Sequence, residues 1–213
     1  GKGRCNITNI APLEEFLNNI PRNSKFLYSA FNNFFNEDLI NLLHTLGLET
    51  KVERGGRVFP QSDKSSDVIK AFQNYLLNNN VSIKLNAQIM TILHKNDNIV
   101  GVKLENEEII HASSVVIATG GLSYPMTGSD GDGYAFAKKV GHKVTDLRPS
   151  LVPLVVKEDY IKELQGLTLK NVVVKAQQEK KILYKGFGEM LFTHFGLSGP
   201  LVLSSSCFVA KAL

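Results

Sequence analysis

The stretch SVVIATGGLSYPMTGSDGDG, residues 114–133, is the part of the sequence that decides the fold. Residues 115–117 are a β-branched apolar run, which is typical of a strand buried on both faces of a parallel sheet. Small residues follow at 118–121, where a backbone can approach a ligand without interference from side chains. A second glycine cluster ends at Gly133, just before an apolar helical pattern. A strand, a glycine loop and a helix N-terminus together form the arrangement that binds a phosphate or nucleotide in α/β folds.

An ordinary connection between a strand and a helix is the alternative for the same residues. In that interpretation Asp130 and Asp132 cap the helix, and the glycines only shape the turn. Isolated glycine loops are weak signals, so the spacing alone leaves both interpretations open.

The composition is that of a globular protein with a proper core. The 213 residues are 43% hydrophobic and 21% charged, and no apolar run approaches the roughly 20 residues that cross a bilayer. The start of the chain has no signal-peptide pattern. Cys5 and Cys207 lie at opposite ends of the chain, which does not indicate a disulfide framework. We therefore expect a cytoplasmic protein that does not enter a membrane.

The net charge of +4 and the isoelectric point near 9.0 raise the question of a nucleic-acid partner. The basic residues occur as isolated pairs or among acidic residues, so we expect no nucleic-acid partner. The histidines lie far apart, and none has the spacing of a Cys/His metal site. Asp130 and Asp132 resemble the start of a calcium loop, but Gly141 stands where the loop needs a glutamate. We expect no metal site.

Helical patterns dominate the first 80 residues. Apolar spacing and capping residues predict helices at 12–18, 24–34, 36–47 and 66–78, with a strand at 48–54 before the turn at Gly55 and Gly56. The pattern then changes, and strands are predicted at 82–85, 87–94, 99–104 and 108–111, which form a small meander that leads into residue 115.

Beyond the glycine loop, the sequence predicts a helix at 131–140 and a strand near Lys143 and Val144. Pro149 and Pro153 indicate a domain boundary. After them, alternating patterns predict strands at 154–156, 171–177, 181–184 and 190–193, followed by a helix from Pro200 to Lys211. We therefore expect two domains, residues 1–150 and a β-rich domain that begins in residues 151–213.

Three motifs carry a resemblance to a known family. They are GKGRCNITN (residues 1–9), VVIATGGLSYPMTGSDGDGYAFA (115–137) and GEMLFTHFGLSGP (188–200). Together they resemble bacterial flavoproteins described as BaiN-type NAD(P)/FAD-dependent oxidoreductases, a family that includes aminoacetone-oxidase-like enzymes. The resemblance implies an α/β fold, in which residues 1–150 are part of a glutathione-reductase-like FAD-binding domain with a parallel sheet, helices and a small β meander.

Two motifs of such flavoproteins have no match in this sequence. One is the N-terminal G-x-G-x-x-G turn that holds the FAD pyrophosphate, and the other is a C-terminal motif that completes the flavin pocket. We therefore expect an internal fragment of a longer flavoprotein, which by itself lacks the main anion site for FAD.

The resemblance also implies roles for single residues. It places the N-terminal motif beside the flavin and pyrophosphate, and the second meander strand at the adenine. The strand end near residue 119 would lie beneath the adenosine and pyrophosphate, and the residues that follow it would lie on the flavin side. The cofactor-binding residues are then Gly3, Arg4, Cys5, Asn6, Gln88, Ile89, Ala118, Thr119, Gly120, Ser123 and Tyr124.

His194 is the candidate catalytic residue, because an imidazole can transfer a proton to or from a substrate near the flavin. The alternatives stay open: a structural histidine, an ordinary surface loop around Arg4, a packing role for Cys5 and a plain sheet edge at Gln88.

The functional prediction is the central part of an FAD-dependent oxidoreductase that acts on a small molecule. The resemblance allows amine oxidation, reduction of a conjugated carbonyl, or NAD(P)H oxidation with NAD(P)H as electron donor. A folded fragment without cofactor or activity is the main alternative. A Rossmann-like transferase that binds another nucleotide is a third interpretation, but it requires an N-terminal glycine loop that the sequence does not contain.

Overall fold

The computed structural model describes residues 3–210 and residue 212. Contacts group them into two compact units. The first unit consists of the described residues up to Ile69 together with those from Leu147 onward, and the second unit is Lys70–Asp146. The domain division at residue 150 stays a prediction.

Helices and strands occur in both units. The α-helices are α1 (Leu13–Asn18), α2 (Tyr28–Asn33), α3 (Asn36–Thr45), α4 (Ser65–Asn78), α5 (Asp132–Lys139) and α6 (Pro200–Val209). Short 3-10 helices span Ser24–Leu27, Pro125–Thr127 and Asp159–Leu164. The strands are β1 (Thr8–Asn9), β2 (Thr50–Glu53), β3 (Arg57–Pro60), β4 (Ile89–Lys95), β5 (Asn98–Leu104), β6 (Ile109–His111), β7 (Leu154–Val155), β8 (Thr168–Gln178), β9 (Lys181–Thr193) and β10 (Gly196–Ser198).

The N-terminal part of the first unit is a small antiparallel sheet with strand order β1-β3-β2. The β2–β3 turn contains Gly55 and Gly56, whose φ values of +80° and +71° suit glycine. Helix α3 contacts β2 and contributes Leu43, which is fully buried. The side-chain amide of Asn36, at the start of α3, donates hydrogen bonds to the carbonyl oxygens of Asn9 (2.7 Å) and Ala11 (2.9 Å). This sheet and helix hold the N-terminal motif in place.

The C-terminal part of the first unit is an antiparallel sheet with strand order β7-β10-β9-β8, covered on one face by α6. Small residues make room for the helix. A Cβ atom added to Gly188 would lie 3.5 Å from the side chain of Leu201 on α6. The rings of Tyr184 on β9 and Phe208 on α6 have centroids 5.4 Å apart. One face of the β8–β9 pair is therefore packed, and the other face is exposed.

The second unit contains the antiparallel meander β4-β5-β6 and helix α5. The turn between β4 and β5 places Asn96 and Asp97 at positive φ, which these residue types tolerate. Leu104, only 2% exposed, lies in the core of this unit. Gly101 lets β5 and β6 pair closely, because a Cβ there would collide with the carbonyl of Ile110.

Most of the predicted helices and strands are confirmed. The helices predicted at 12–18, 36–47, 66–78 and 131–140 correspond to α1, α3, α4 and α5, while the one at 24–34 divides into a 3-10 turn and α2. Strands at 181–184 and 190–193 belong to one continuous strand, β9. The last predicted helix is α6, and its predicted end at Lys211 lies outside the described residues.

The strand predicted at residues 115–117 is wrong. These residues have no regular secondary structure, and Val116 and Ile117 are 89% and 41% exposed. A strand requires a hydrogen-bonded neighbour, and no segment in the described part of the chain pairs with this run. The sheets formed by the described residues are all antiparallel, so they do not include the expected parallel sheet.

Two shorter strand predictions are also wrong. Residues 82–85 and the pair Lys143 and Val144 are irregular in the structure. Neither segment pairs with a strand in the described part of the chain, and a local residue pattern alone does not stabilise a strand.

None of the helices in the described part of the chain has the length and apolar character that a bilayer crossing requires.

Candidate functional site

A cavity of about 650 Å³ lies at one end of the meander in the second unit. Its volume falls within the range of about 300–1,000 Å³ that is usual for small-molecule sites. Three residues that the sequence predicted as cofactor contacts line this cavity: Gln88, Ile89 and Thr119. The structure therefore brings together residues from the meander and from the glycine loop.

The register of the meander explains why Gln88 and Ile89 lie at the cavity. Ile89 pairs with Leu104, and the backbone N–H of Glu105 donates a 3.0 Å hydrogen bond to the carbonyl oxygen of Gln88. The start of β4 and the end of β5 thus meet beside the cavity, and Leu104 and Glu105 belong to its lining. The carbonyl of Gln88 is engaged in the sheet, so its side chain is the free polar group.

Glycines fold the loop of residues 118–133 back onto itself. Gly120 has φ +75°, and a Cβ there would collide with the hydroxyl of Ser129. A Cβ on Gly133, in the first turn of α5, would lie 2.7 Å from Thr119 Oγ1. Since both positions lack a side chain, Thr119 is held against the start of α5. Lys139, in the last turn of α5, donates a 3.4 Å hydrogen bond to the carbonyl of Met90 on β4.

Carboxylates dominate the charge of the cavity. Glu105, Asp130 and Asp132 line it, and Lys84 is the lining residue of opposite charge. The ammonium of Lys84 forms an ion pair with Glu108, and its hydrogen bond is the main cause that lowers the pKa of that carboxyl. Since this lysine is already paired, the cavity presents an acidic surface, which favours neutral groups that donate hydrogen bonds and disfavours phosphates.

The other predicted residues of the glycine loop lie outside the cavity lining. Ala118 and Gly120 flank Thr119 and are exposed. Ser123 is exposed as well, and Tyr124 is 81% exposed at φ +59°, where it precedes the 3-10 helix Pro125–Thr127. The roles predicted for these residues stay predictions.

Arg4 of the N-terminal motif is bound by acidic side chains of the β2–β3 region. Its Nη2 lies 2.5 Å from Glu53 Oε1 and 2.5 Å from Asp63 Oδ1, and its Nε donates to the same oxygen of Asp63 at 3.0 Å. Lys51 Nζ contacts the other oxygen of Asp63 at 2.6 Å. The guanidinium also stacks 4.3 Å above the ring of Phe59. We call these five residues the Arg4 cluster.

The Arg4 cluster contains two cations and two carboxylates, and each charge stabilises the ionised form of its partners. The hydrogen bond from Arg4 lowers the pKa of Glu53, and those from Lys51 and then Arg4 lower the pKa of Asp63. The pKa of Arg4 is raised by its hydrogen bonds to Glu53 and Asp63. Arg4 is therefore partnered within the protein, and the cofactor contact that the family resemblance implies stays a prediction.

The remaining residues of this motif also bond to the protein itself. The carbonyl of Gly3 accepts a 2.7 Å hydrogen bond from the backbone of Ser65. The side-chain amide of Asn6 lies beside the carbonyls of Val58 (3.2 Å) and Thr8 (3.1 Å), and the amide orientation that pairs with them places its nitrogen there as donor. Cys5 has a backbone φ of +63°, which is uncommon for a residue other than glycine. The motif is thus a loop tied to the small sheet at several points.

His194 lies in the tight turn between β9 and β10 and is exposed. Its ring makes an edge contact with Phe195, with centroids 4.9 Å apart. The turn is held by Thr193, whose hydroxyl bonds to the backbone N–H and C=O of Gly196. The exposed imidazole is available to a ligand, and its catalytic role stays a prediction.

The sequence interpretation missed Glu105 and did not assign Asp130 and Asp132 to a ligand site. A signal for Glu105 was present, because a hairpin that turns at Asn96 and Asp97 places residue 105 opposite residue 88. The two aspartates appeared as candidate helix caps and as the start of a calcium loop that lacks its glutamate. Within the described residues, no group of three or more His, Cys, Asp or Glu side chains could hold a metal ion.

Comparison with known proteins identifies the family. The family described as "HI0933-like protein Rossmann domain" matches residues 1–201. The chain belongs to this HI0933-like family. Membership confirms the resemblance drawn from the three motifs and the α/β class of the Rossmann type, since this chain combines helices and sheets as that class requires.

Three curated proteins are similar to this HI0933-like chain. A "3-dehydro-bile acid delta(4,6)-reductase" of Clostridium scindens is 30% identical over 213 residues, which are 100% of this chain and 51% of the relative. A "Ribosomal RNA dihydrouridine synthase" of Escherichia coli is 30% identical over 98% of this chain and 50% of the relative. The protein of the same name from Haemophilus influenzae is 29% identical over 97% of this chain and 50% of the relative. The chain spans about half the length of these relatives.

Proposed function

We propose that the protein is an FAD-dependent oxidoreductase that reduces a carbon–carbon double bond conjugated with a carbonyl group. The observation that carries the proposal is the family match over residues 1–201, which spans the three motifs up to Pro200. The names of the relatives support a reductive reaction, because one is called a reductase and two form dihydrouridine.

The cavity of the second unit fits the adenosine end of FAD. Leu104 and Phe136 supply apolar walls for the base, and the side chains of Gln88 and Thr119 supply polar groups. Carboxylates such as Glu105 accept hydrogen bonds from ribose hydroxyls. The pyrophosphate does not fit the same lining, because three carboxylates would repel it and Lys84 is already paired with Glu108. We therefore assign only the neutral adenosine to this cavity.

FAD, when bound, supplies the electron chemistry of the reaction. The residues of this chain would hold and orient the cofactor and move a proton. Thr119, fixed by its contact with the first turn of α5, orients the adenosine in the cavity. We assign to the imidazole of His194 the proton that a reduced double bond takes up, because His194 is exposed at a turn held by hydrogen bonds of Thr193.

The names of the relatives define the substrate chemistry that we propose. A delta(4,6)-reductase acts on double bonds, and dihydrouridine is uridine with two added hydrogens. Both names describe the gain of hydrogen at a carbon–carbon double bond. NAD(P)H is the electron donor that we propose, in a cytoplasmic setting that the two free cysteines support.

Flavin content tests the cofactor assignment. The protein is produced from its complete open reading frame, and bound flavin is released by heat and identified by chromatography. We expect FAD in the wild type, loss of FAD in Thr119→Phe, which fills the cavity, and retention in the control Thr127→Phe. Thr127 is exposed in the same loop and does not line the cavity. A wild-type protein without flavin would instead support the cofactor-free scaffold.

Anaerobic turnover tests the reaction. NAD(P)H oxidation is followed with a steroid that carries a 3-oxo-4,6-diene and, separately, with a uridine-containing RNA. A product that has gained two hydrogens by mass spectrometry supports the proposal and identifies the substrate class. NAD(P)H oxidation that depends on oxygen and leaves both substrates unchanged would contradict it.

A further inference from the structure

The exposed face of the β8–β9 pair combines apolar and basic side chains. Val173 lies opposite Phe187, and two residues further along Lys175 lies opposite Lys185. Side chains two residues apart point to the same side of a sheet, so these four residues share one face. Val173 and Phe187 are 58% and 69% exposed, and both lysines are exposed too. We call these four residues the ribbon face.

The ribbon face is not the core side of this sheet. Residues of alternate position, such as Val174, Gly186 and Tyr184, are less exposed and point to α6. A Cβ on Gly186 would lie 3.0 Å from Leu201 of that helix. The exposed aromatic ring of Phe187 therefore has no packing role on the helical side.

Two like charges occupy directly opposed positions on the ribbon face. Opposed side chains on neighbouring antiparallel strands have Cβ atoms about 4.5–5.5 Å apart, so Lys175 and Lys185 repel each other. None of the ion pairs formed by the described residues includes either lysine. An anion bound between the two ammonium groups would relieve this repulsion.

We propose that the ribbon face binds single-stranded RNA. Lysines on the two strands hold the phosphate backbone, and Phe187 beside them offers a ring on which a base stacks, as sheet aromatics do in RNA-binding domains. This inference deepens the proposed function and rests on it, because it selects RNA as the substrate class over a free steroid.

Charge complementarity favours RNA over the other occupants of such a face. A free steroid binds in a concave pocket, whereas this face belongs to an open two-stranded ribbon. The strands and their turn, from Thr168 to Thr193, carry lysines at 170, 175, 180, 181 and 185 and glutamates at 179 and 189, which is a formal excess of positive charge. The sequence interpretation considered these lysines scattered, since only the β8–β9 register brings Lys175 and Lys185 together.

Fluorescence anisotropy tests the proposal with the protein from its complete open reading frame and a labelled, uridine-rich single-stranded RNA. The ribbon variants are Phe187→Ala and the double variant Lys175→Gln/Lys185→Gln. The control variants are Phe26→Ala and Lys25→Gln, an exposed phenylalanine and lysine on the 3-10 helix Ser24–Leu27. We expect roughly tenfold weaker binding for Phe187→Ala. The slope of log K against log salt concentration should become shallower by about 0.7 per lysine removed, and the controls should bind like the wild type.

Absence of RNA binding by the wild type would overturn the proposal, and so would ribbon variants that bind like the controls. If the ribbon variants instead lower the melting temperature and leave RNA binding unchanged, the face packs against protein and the proposal fails. Flavin content is measured on the same preparations. Flavin without RNA binding refutes only this inference, and RNA binding without flavin refutes only the proposed cofactor.

Discussion

Arg4 and Asp63 contact each other at 2.5 Å, across 59 positions of sequence. The contact ties the N-terminal motif to the segment that follows β3, and Asp63 is shared with Lys51. Arg4 therefore shapes the loop through its contacts within the protein. The family resemblance places this N-terminal motif beside the cofactor. The motif can contribute to binding through its backbone, which the contacts of Arg4 hold in position.

We expect Arg4→Met to lower the melting temperature by a few degrees. The substitution removes both ion pairs and the stacking on Phe59, and it leaves Glu53 and Asp63 with Lys51 as their nearby cation. The melting temperature is measured by calorimetry. Arg22→Met, at an exposed arginine, is the matched control and should melt like the wild type. Equal melting of both variants would contradict a structural role for the Arg4 cluster.

The Arg4 cluster also predicts sensitivity to acid. The pKa values of Glu53 and Asp63 are lower in the folded state than their ordinary values of 4.5 and 3.8. A carboxyl with a lowered folded-state pKa stabilises the fold above its unfolded pKa, and this contribution is lost as the pH falls through the folded value. We expect the free energy of unfolding to decrease below about pH 4.5. Urea titrations at several pH values measure this decrease.

Glu53→Gln provides the comparison for the acid experiment. It should reduce the loss of stability on acidification in the wild-type background and change it little in the Arg4→Met background, where the main partner is gone. An identical pH dependence of the wild type and Glu53→Gln would show that this carboxyl does not contribute.

Gly133→Ala should destabilise the second unit although alanine is the better helix former. The new Cβ would lie 2.7 Å from Thr119 Oγ1 and 2.9 Å from Ile117 Cγ2, so the loop that carries Thr119 must shift. A double-mutant cycle with Thr119→Ala measures the coupling, which we expect at about 0.5–3 kcal/mol. We also expect FAD content to fall in Gly133→Ala. Additive effects of the two substitutions would exclude the contact.

His194→Gln should lower the turnover of the full protein by roughly 10²-fold or more, the usual effect of a lost proton donor. FAD content should stay at the wild-type level, since the side chain is exposed at the β9–β10 turn and has no role in the cavity. The control is His142→Gln, at another exposed histidine. If both variants turn over at the wild-type rate, His194 is a surface residue of the turn.

Local patterns predicted the helices and most strands of this chain well. Apolar spacing located α3 and α4, and the Asn96 and Asp97 turn located the β4–β5 hairpin. These elements depend on contacts close in sequence. Residues 115–117 have the composition of a buried strand, but strand formation also requires a pairing partner, which a residue pattern does not reveal.

The candidate site was predictable in part through the family resemblance. Thr119 and Gln88 followed from the motif and the meander, and both line the cavity. The sequence did not predict the partners of Arg4, because Glu53 and Asp63 are 49 and 59 positions away. Only the folded β2–β3 hairpin brings them to Arg4. The opposed lysines of the ribbon face were hidden in the same way.

The continuous strand β9 connects the ribbon face with the turn that holds His194. It runs through Lys181–Thr193 and ends at the turn that holds His194. At about 3.3 Å per residue, the ring of Phe187 is about 20 Å from that turn. An RNA bound at the ring as proposed would therefore reach the imidazole with a nucleotide about 20 Å further along its chain.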